Sequence, residues 1–257
     1  MTSRDGAMID SYTHCGIDKY EPVDSLVEAM EYSGMTRAVL VQHLGQFDNS
    51  YIESVVKSSP ATFTGVGLVD PTDTNWRSQI GLLRDSESFT GIRFSTPSII
   101  GNFDVVMEAG EMGLHLILYT PDGIGEVSRE IAELARTLPD TFIVLTHLGC
   151  PGQEVDVDRR NLSILGLGEF ANVFVGLSGQ HMFCEYPYTY LRDYTKRIVE
   201  TYTSGRIMWG SNFPVCGSME EYRMDLSYIL SGNLELSELE IQDITENTAR
   251  KVFFPDN

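Results

Sequence analysis

The hydrophobic positions of this chain fall into short runs that recur along its whole length. Eight runs rich in β-branched residues alternate with more polar stretches, and they cover residues 7–12, 37–43, 62–70, 89–95, 113–120, 141–147, 172–179 and 206–212. Each run has the length of a buried strand, and most of them end on a polar residue. The pattern therefore predicts eight strands.

Between the runs lie stretches with helical spacing, such as 23–34 and 125–138. In the second of these, apolar residues recur at steps of three and four and share one helix face; they are Val127, Ile131, Leu134, Ala135 and Leu138. Strands that alternate with helices predict parallel βα units, and eight such units in about 250 residues match a closed (β/α)₈ TIM barrel. A doubly wound open sheet is the main alternative, and it is disfavoured because no G-x-G-x-x-G follows the first strand.

No internal repeat, low-complexity tract or Pro/Ser-rich linker interrupts the sequence. We therefore predict a single TIM-barrel domain over residues 1–257, with some distortion of the barrel allowed. In such a barrel the chemistry takes place at the carboxyl ends of the strands.

Polar side chains occupy these predicted strand ends. They are Tyr12 and His14 after the first strand, His43 after the second, Arg93 in the fourth, Tyr119 at the end of the fifth, His147 at the sixth, Ser178 at the seventh and Asn212 at the eighth. Because all of these ends lie on one face of a barrel, the sequence predicts a convergent polar pocket, which is typical of an active site.

The residue types suggest catalytic roles. His14 and His147 can act as general acid or base, since an unperturbed imidazole titrates near neutral pH. Tyr12 and Tyr119 can donate a hydrogen bond to a developing oxyanion. Asn212 can orient a substrate or a water molecule, but its amide cannot accept a proton at working pH.

Four further residues are predicted to bind substrate. Arg93 would be costly to bury without an anion, so a substrate carboxylate is one predicted partner and a protein carboxylate is the alternative. Ser178, His43 and His181 complete the predicted set. For His43 a purely structural role is the main alternative, and for His181 a position at the pocket rim or in solvent. His115 lies inside the fifth strand and is a weaker candidate.

Composition limits the partners. The formal charge is −19, from 37 acidic and 18 basic residues, and this balance argues against nucleic acid. The apolar runs are far shorter than the ~20 residues of a membrane span, and the N-terminus has no signal-peptide core. We therefore expect a cytoplasmic protein that binds a small, anionic molecule and neither nucleic acid nor membrane. The aromatic-rich segment 180–200 is open to three interpretations: a substrate lid, a subunit contact in a homo-oligomer, or a packed loop.

The four cysteines are widely spaced and form no C-x-x-C pair, so reduced thiols are expected. Cys15, Cys150 and Cys216 all follow predicted strand ends. A thiolate nucleophile activated by a neighbouring histidine is conceivable there, although a small buried thiol is the commoner situation.

The strand ends also resemble a known family. "MIDSYTHCG", "FDNSYIESVVKSSPATFTGVGLVDP", "FTGIRF", "FIVLTHLGCPG", "VFVGLSG", "RIMWGSNFP" and "ENTARKVF" occur in the order and at the spacing of the amidohydrolase-related branch of the amidohydrolase superfamily. This resemblance extends over nearly the whole chain. It implies a TIM barrel and an activity like that of the lactonases and decarboxylases of that branch.

The resemblance also implies which positions bind metal, and this chain departs from the family there. Tyr12 replaces the first histidine of strand 1, Asn212 replaces the aspartate of strand 8, and strand 5 carries Tyr119 instead of a histidine. Only His14 and His147 remain as strong ligands, with Asp10 resembling the strand-1 aspartate. Because tight zinc binding takes three or four such ligands, we expect no metal and no other cofactor.

Three functions remain open. The first is a metal-independent hydrolase acting on a small carboxylated or carbonyl compound, in the simplest case a lactone, with His147 as general base and His14 as its partner or a second acid. The second is a lyase, isomerase or cyclase that uses a His/Tyr acid–base pair in the same pocket. The third is a non-catalytic barrel that binds a small molecule.

Overall fold

A computed structural model describes residues 7–152 and 162–255. Its eight strands are β1 (Ile9–Thr13), β2 (Arg37–Val41), β3 (Phe63–Gly67), β4 (Phe89–Ser95), β5 (His115–Tyr119), β6 (Ile143–Leu145), β7 (Val173–Ser178) and β8 (Ile207–Gly210). They form one sheet in sequence order, and every neighbouring pair from β1 to β8 is parallel. The predicted TIM barrel is therefore confirmed.

Backbone hydrogen bonds just beyond the end of β8 close the barrel against β1. The Asn212 N–H donates to the Tyr12 carbonyl oxygen at 2.8 Å, and the His14 N–H donates to the Phe213 carbonyl oxygen at 2.7 Å. This closure places the end of the first strand beside the end of the eighth. Two of the predicted site segments thus meet although they are about 200 residues apart in sequence.

Helices cover the outside of the strands. They are α1 (Val23–Ser33), α2 (Ser50–Ser58), α3 (Trp76–Asp85), α4 (Thr96–Gly101), α5 (Phe103–Glu111), α6 (Ser128–Thr137), α7 (Ser163–Leu167), α8 (Arg192–Tyr202), α9 (Met219–Leu230), α10 (Glu238–Gln242) and α11 (Thr248–Phe253), with a π-helical turn at Asp243–Asn247. The helix predicted over 23–34 ends one residue earlier, because Gly34 adopts a left-handed φ of 76° and caps it. In the described ranges, none of the helices has both the length and the apolar character needed to cross a bilayer.

Two apolar layers make up the core. The larger one lies between the strands and the helices, and the smaller one fills the barrel with side chains such as Ile9, Val66 and Phe174. Phe253 and Phe254 at the end of α11 pack against this inner layer, and the Arg37 guanidinium at the start of β2 lies 5.1 Å from the Phe254 ring. The amino-terminal end of the barrel is thus closed by apolar packing, which leaves the carboxyl end for chemistry.

Candidate active site

A pocket of about 170 Å³ opens at the carboxyl ends of the strands. It brings together five of the nine predicted site residues: His14, Arg93, Tyr119, His147 and Asn212. The other lining residues come from loops and are Lys19, Tyr20, Leu44, Met182 and Val215. The predicted convergence of polar groups from different strands is therefore present in the structure.

His14 follows β1 directly and is only 3% exposed. Its Nδ1 lies 2.6 Å from the Val41 carbonyl oxygen, and its ring stacks on Tyr20 with centroids 5.0 Å apart and an interplanar angle of 13°. Burial, and then the positive charge of Arg93, hold the pKa of His14 well below its usual value, against a smaller opposing effect of the Val41 hydrogen bond. His14 is therefore neutral at physiological pH.

His147 lies in a tight turn just after β6, where its own φ is 53° and that of Leu148 is 58°. The Ser178 hydroxyl oxygen at the end of β7 accepts a hydrogen bond from the His147 backbone N–H at 3.2 Å, and it lies 2.9 Å from the Nδ1 of the same residue. Burial, followed by the charge of Arg93, lowers the pKa of His147 to about 3. This second imidazole is neutral as well.

Tyr12 forms the floor beneath the two histidines. Its ring centroid lies 5.2 Å from that of His14 and 4.7 Å from that of His147, both in edge-on contact. The side chain is 3% exposed and does not line the pocket itself. Its hydroxyl is buried with no hydrogen-bond partner among the described residues, and burial raises its pKa to about 12. Tyr12 therefore keeps its proton and retains an unused donor.

Arg93 projects from β4 into the same pocket and is 5% exposed. One guanidinium nitrogen, Nη1, donates to the Gln42 carbonyl oxygen at 3.1 Å, whereas Nε is buried without a partner among the described residues. The guanidinium carbon lies 5.1 Å from the Tyr119 ring and 5.8 Å from the Tyr12 ring. Within residues 7–152 and 162–255, the carboxylates that form ion pairs do so with other cations. A buried guanidinium with this surrounding is suited to an anionic ligand.

Tyr119 completes the wall beside Arg93. It is half-buried at the end of β5, and its ring centroid lies 5.5 Å from that of His147. Burial is the main cause that raises the pKa of Tyr119, and Arg93 opposes the shift. The phenol is thus protonated at working pH and can donate a hydrogen bond into the pocket.

Asn212 follows β8 with a left-handed φ of 60°. Its carbonyl oxygen accepts a hydrogen bond from the Val215 N–H at 2.8 Å, so the strained turn is closed locally. The side-chain Nδ2 lies 3.5 Å from His181 Nε2 and 3.6 Å from the Met182 sulfur. The amide thereby links the eighth strand to the loop after β7 and leaves its oxygen as the polar atom available to a ligand.

His181 lies behind this amide. Met182, in the loop after β7, lines the pocket, whereas its neighbour His181 lines a separate cavity of about 420 Å³. Burial lowers the pKa of His181, and Glu221 opposes the shift. The loop itself packs against the barrel through Tyr188 and Leu191, which are buried in the outer core.

His43 and Ser178 are also close to the pocket without lining it. His43 is half-buried, lines a neighbouring cavity of about 120 Å³ and meets the Tyr20 ring edge-on at 5.4 Å. Ser178 is fully buried, and its hydroxyl contacts His147. In the structure His43 contacts Tyr20 of the pocket wall, and Ser178 contacts His147.

Sequence reasoning did not identify Tyr20 and Lys19, which come from the loop after β1. Tyr20 stacks on His14, and its backbone takes a left-handed φ of 71°. The Lys19 ammonium lies 5.1 Å from the Tyr20 ring centroid. The only signal in the sequence is an aromatic and a basic residue shortly after a strand end, and many surface loops have the same composition.

Asp10, the remaining position that resembles a metal ligand, is occupied by other contacts. Its Oδ1 accepts hydrogen bonds from the Ser211 N–H at 2.9 Å and the Tyr12 N–H at 3.2 Å, and its Oδ2 accepts one from the Tyr222 hydroxyl at 2.6 Å. Burial raises the pKa of Asp10 to about 6, and these hydrogen bonds oppose the shift. Asp10 thus holds the β1–β8 seam together.

The side chains of the pocket do not fit a tight zinc site. Two imidazoles face an amide and phenols there, and no group of three or more His, Cys, Asp or Glu side chains in residues 7–152 and 162–255 is arranged to hold a metal ion. Structural and catalytic zinc sites take at least three such protein ligands.

The cysteines near this face are buried. Burial raises the pKa of Cys15 and of Cys150 to about 12, and it raises the pKa of Cys216 further in the same direction. A protonated, buried thiol is a poor nucleophile. This disfavours covalent catalysis by cysteine.

Comparison with known proteins agrees with this architecture. A family model described as Amidohydrolase matches residues 8–254. None of the curated proteins matches the sequence.

Several solved structures share the fold over nearly the whole chain. A Pseudomonas putida protein named as a 2-pyrone-4,6-dicarboxylic acid hydrolase superposes with a TM-score of 0.81 at 20% identity, covering 98% of each chain. An Acinetobacter baumannii protein named for the same activity, with citric acid bound, gives 0.74 at 16% identity and covers 96% of this chain and 99% of its own. An amidohydrolase from Burkholderia multivorans with bound zinc gives 0.78 at 16% identity, with the same coverage. These likenesses show the fold, and the match over residues 8–254 shows that the chain belongs to the amidohydrolase family.

Proposed function

We propose that this protein is a metal-independent hydrolase that opens a small lactone carrying a carboxylate. The observation that carries the proposal is Arg93, a buried guanidinium in the pocket whose Nε has no partner among the described residues. An anionic substrate group satisfies this cation at the point where two neutral histidines and a protonated tyrosine converge. Because the whole chain carries a charge of −19, recognition of an anion depends on this local guanidinium rather than on a general field.

The similar structures support the substrate class. Two of them are named for hydrolysis of 2-pyrone-4,6-dicarboxylic acid, and one of these holds citric acid. A pyrone dicarboxylate is a cyclic ester with two carboxylates, so Arg93 can hold one carboxylate while the ester carbonyl faces the histidines. We therefore take 2-pyrone-4,6-dicarboxylate as the first substrate to test, followed by saturated lactones that carry one carboxylate.

The missing metal ligands determine the kind of hydrolysis proposed. With Asn212 and Tyr12 at positions where the resembling family has metal ligands, water activation falls to a protein base rather than to a metal. His14 and His147 are the imidazoles that line the pocket, and in neutral form each has a ring nitrogen that can accept a proton. Tyr119, with its raised pKa, is suited to hold the ester carbonyl or a carboxylate by hydrogen bonding.

The test is turnover of these lactones by protein treated with a chelator and checked for metal content. We expect the rate to be unchanged by the chelator and oxygen-18 from solvent water to appear in the product carboxylate.

The role of the guanidinium has its own test. We expect Arg93→Met to lower kcat/KM by about 100-fold or more, since a buried charge-assisted hydrogen bond to substrate is lost. Arg77→Met is the matched control, because Arg77 is exposed and pairs with Glu108 on the outer surface. Stoichiometric zinc whose removal abolishes turnover would contradict the proposal.

The second candidate is a lyase, isomerase or cyclase, and the amide of Asn212 favours it. An amide in place of a carboxylate removes one base that could activate water, yet it can still orient a substrate for proton transfer between a histidine and a tyrosine. The same oxygen-18 experiment separates the two candidates. Product formed without solvent oxygen supports proton-transfer chemistry, whereas ligand binding without turnover of any bound compound supports a non-catalytic barrel.

A further inference from the structure

The two histidines of the pocket are held by different kinds of partner. His14 Nδ1 lies 2.6 Å from the carbonyl oxygen of Val41. A carbonyl oxygen only accepts hydrogen bonds, so the proton of a neutral His14 is on Nδ1. Its Nε2 then carries a lone pair and no hydrogen.

His147 is held by a hydroxyl, which can accept and donate. The Ser178 hydroxyl oxygen already accepts the His147 backbone N–H, and it is the Ser178 atom within hydrogen-bond geometry of Nδ1, at 2.9 Å. The Ser178 backbone acts on the ring as well, as a smaller effect that opposes the low pKa of His147. Among the described residues, the Ser178 hydroxyl hydrogen has no other acceptor than this Nδ1. If Nδ1 carried the proton, a fully buried O–H would be left unsatisfied, at a cost of about 1–3 kcal/mol. The favoured arrangement is therefore Ser178 O–H donating to a bare Nδ1, which places the His147 proton on Nε2.

Aromatic neighbours hold both rings in place. Tyr12 packs edge-on against both imidazoles, Tyr20 stacks on His14, and Tyr119 meets His147 edge-on at 5.5 Å. A ring flip would put the carbon Cδ2 in the place of Nδ1 and break the hydrogen bond to Val41 or Ser178. The tautomers are thus fixed together with the ring orientations.

We propose that the pocket contains two neutral histidines in opposite tautomers: His14 presents a bare Nε2 that acts as the base, and His147 presents an Nε2–H that stabilises the oxyanion. Ser178 is then a positioning residue that acts through His147. The tautomers follow from the hydrogen bonds alone, whereas the catalytic roles rest on the proposed hydrolysis. From the sequence, His147 is the expected base and His14 its partner or a second acid. The hydrogen bonds of the two rings favour the reverse, with His14 as the base.

In a lactone hydrolysis these roles give a balanced sequence of proton transfers. The oxygen of a water molecule bonds to the lactone carbonyl carbon while one water proton passes to His14 Nε2. The former carbonyl oxygen becomes an oxyanion that accepts a hydrogen bond from His147 Nε2–H, and His147 keeps its proton. The ring C–O bond then breaks, and the departing oxygen takes the proton from His14. The product is a ring-opened acid that carries an alcohol if the lactone is saturated and an enol if it is a pyrone, and His14 is neutral again.

The experiment is nitrogen-15 NMR of protein labelled at histidine, without substrate. The sequence has five histidines, so the spectrum contains five pairs of ring nitrogens, and His14→Gln and His147→Gln assign the two pairs of interest. We expect a protonated, pyrrole-type Nδ1 in His14 and an unprotonated, pyridine-type Nδ1 in His147. The same tautomer in both residues, or protonation of both nitrogens of either ring at pH 7, would overturn the proposal. This result does not depend on any substrate, so it is separable from failure of the proposed hydrolysis.

Ser178→Ala tests the positioning role. Without the hydroxyl, we expect the His147 signals to show a mixture of tautomers and kcat to fall by about 10- to 100-fold with little change in KM, as for other supporting hydrogen bonds. Thr141→Val is the matched control, since it also removes a buried hydroxyl from near a strand end, where Thr141 donates to the Gly110 carbonyl oxygen at 3.1 Å. An unchanged His147 tautomer in Ser178→Ala would contradict the role of Ser178, and the spectrum of the unmutated protein decides the tautomers even if the variant does not fold.

Discussion

The two ends of the barrel each hold a histidine with a strongly lowered pKa, and their surroundings differ. His147, at the carboxyl end, has a pKa of about 3, and His115, at the amino end of β5, has a pKa of about 4; burial is the main cause in both. His115 Nδ1 accepts the Phe142 N–H at 3.4 Å, and a backbone hydrogen bond at Val252 partly opposes the shift. Its ring packs on Phe142 with centroids 4.8 Å apart. A shifted pKa alone therefore does not distinguish a catalytic group from a structural one.

Unused polar atoms beside an open pocket make the difference. At the carboxyl end the Tyr12 hydroxyl and the Arg93 Nε are buried without partners among the described residues, and both lie close to an open pocket. At the amino end, Phe253 and Phe254 close the barrel. Arg37 Nη1 is likewise buried there without a partner among the described residues, but its guanidinium lies against the Phe254 ring and not beside that pocket. Buried unsatisfied groups cost free energy, so a cluster of them beside a cavity indicates a ligand site.

Replacing His14, His147 and His115 in turn by glutamine is the strongest test of this comparison. We expect His14→Gln and His147→Gln to lower kcat by about 100-fold or more, because each removes a group that acts on the reacting atoms. We expect His115→Gln to leave kcat within twofold and to lower Tm by about 2–4 °C through loss of packing and one hydrogen bond. Turnover and thermal unfolding of the three variants provide the measurements. A loss of turnover in His115→Gln comparable to that in His147→Gln would show that position in the barrel does not separate the two roles.

The pH dependence of kcat/KM sharpens the comparison with a smaller effect. In the proposed hydrolysis His14 and His147 act in their neutral forms. Because their pKa values are lowered, activity is expected to be retained above the lowered values and lost only as the pH falls through them. We expect kcat/KM to stay within twofold between pH 7.5 and 5.5, because burial lowers the pKa of both histidines and brings that of His147 to about 3. A histidine with an ordinary pKa near 6.5 would instead cause a loss of about tenfold at pH 5.5. Circular dichroism at each pH distinguishes a true acid limb from unfolding.

Much of the fold was predictable from the sequence, because alternation of apolar runs and helical spacing is a local signal. The eight predicted strands all occur, and their bounds differ by a few residues at most. Two strands differ most, each four residues shorter than predicted: β3, predicted over 62–70 and observed at Phe63–Gly67, and β6, predicted over 141–147 and observed at Ile143–Leu145. The early end of β6 has a visible cause. There the chain leaves the sheet early, since His147, Leu148 and Cys150 adopt left-handed φ values that the letters "THLGC" do not reveal.

The site was predictable as a set of strand ends, and less so as a set of roles. Because His14, Arg93 and His147 belong to the carboxyl ends of their strands, the sequence predicts that they lie near each other. In the structure all three line one pocket. The roles depend on partners distant in sequence: Val41 is 27 residues from His14, and Ser178 is 31 residues from His147. Such pairings follow from the register of neighbouring strands, and no local pattern encodes them.

The buried carboxyl group of Asp225 gives the last test, with the smallest expected effect on turnover. Burial raises the pKa of Asp225 to about 8, and the side chains of Tyr188 and Trp209 oppose this shift. Neither carboxyl oxygen has a partner within hydrogen-bond geometry among the described residues. The folded protein thus keeps this group protonated where the unfolded chain would ionise it above about pH 4, so its contribution to stability falls as the pH rises from about 4 to about 8. Asp225→Asn cannot ionise. We expect the effect of this substitution on the free energy of unfolding, taken as variant minus unmutated protein, to be more favourable at pH 8 than at pH 4 by about 2 kcal/mol or more.

Asp10→Asn is the matched comparison. Because Asp10 accepts three hydrogen bonds, we expect that variant to be destabilised at both pH values. Asp225 does not line the pocket, so kcat should be unchanged in Asp225→Asn. A large loss of kcat there, measured beside urea unfolding at both pH values, would mean that an unsatisfied buried group outside the pocket also takes part in catalysis.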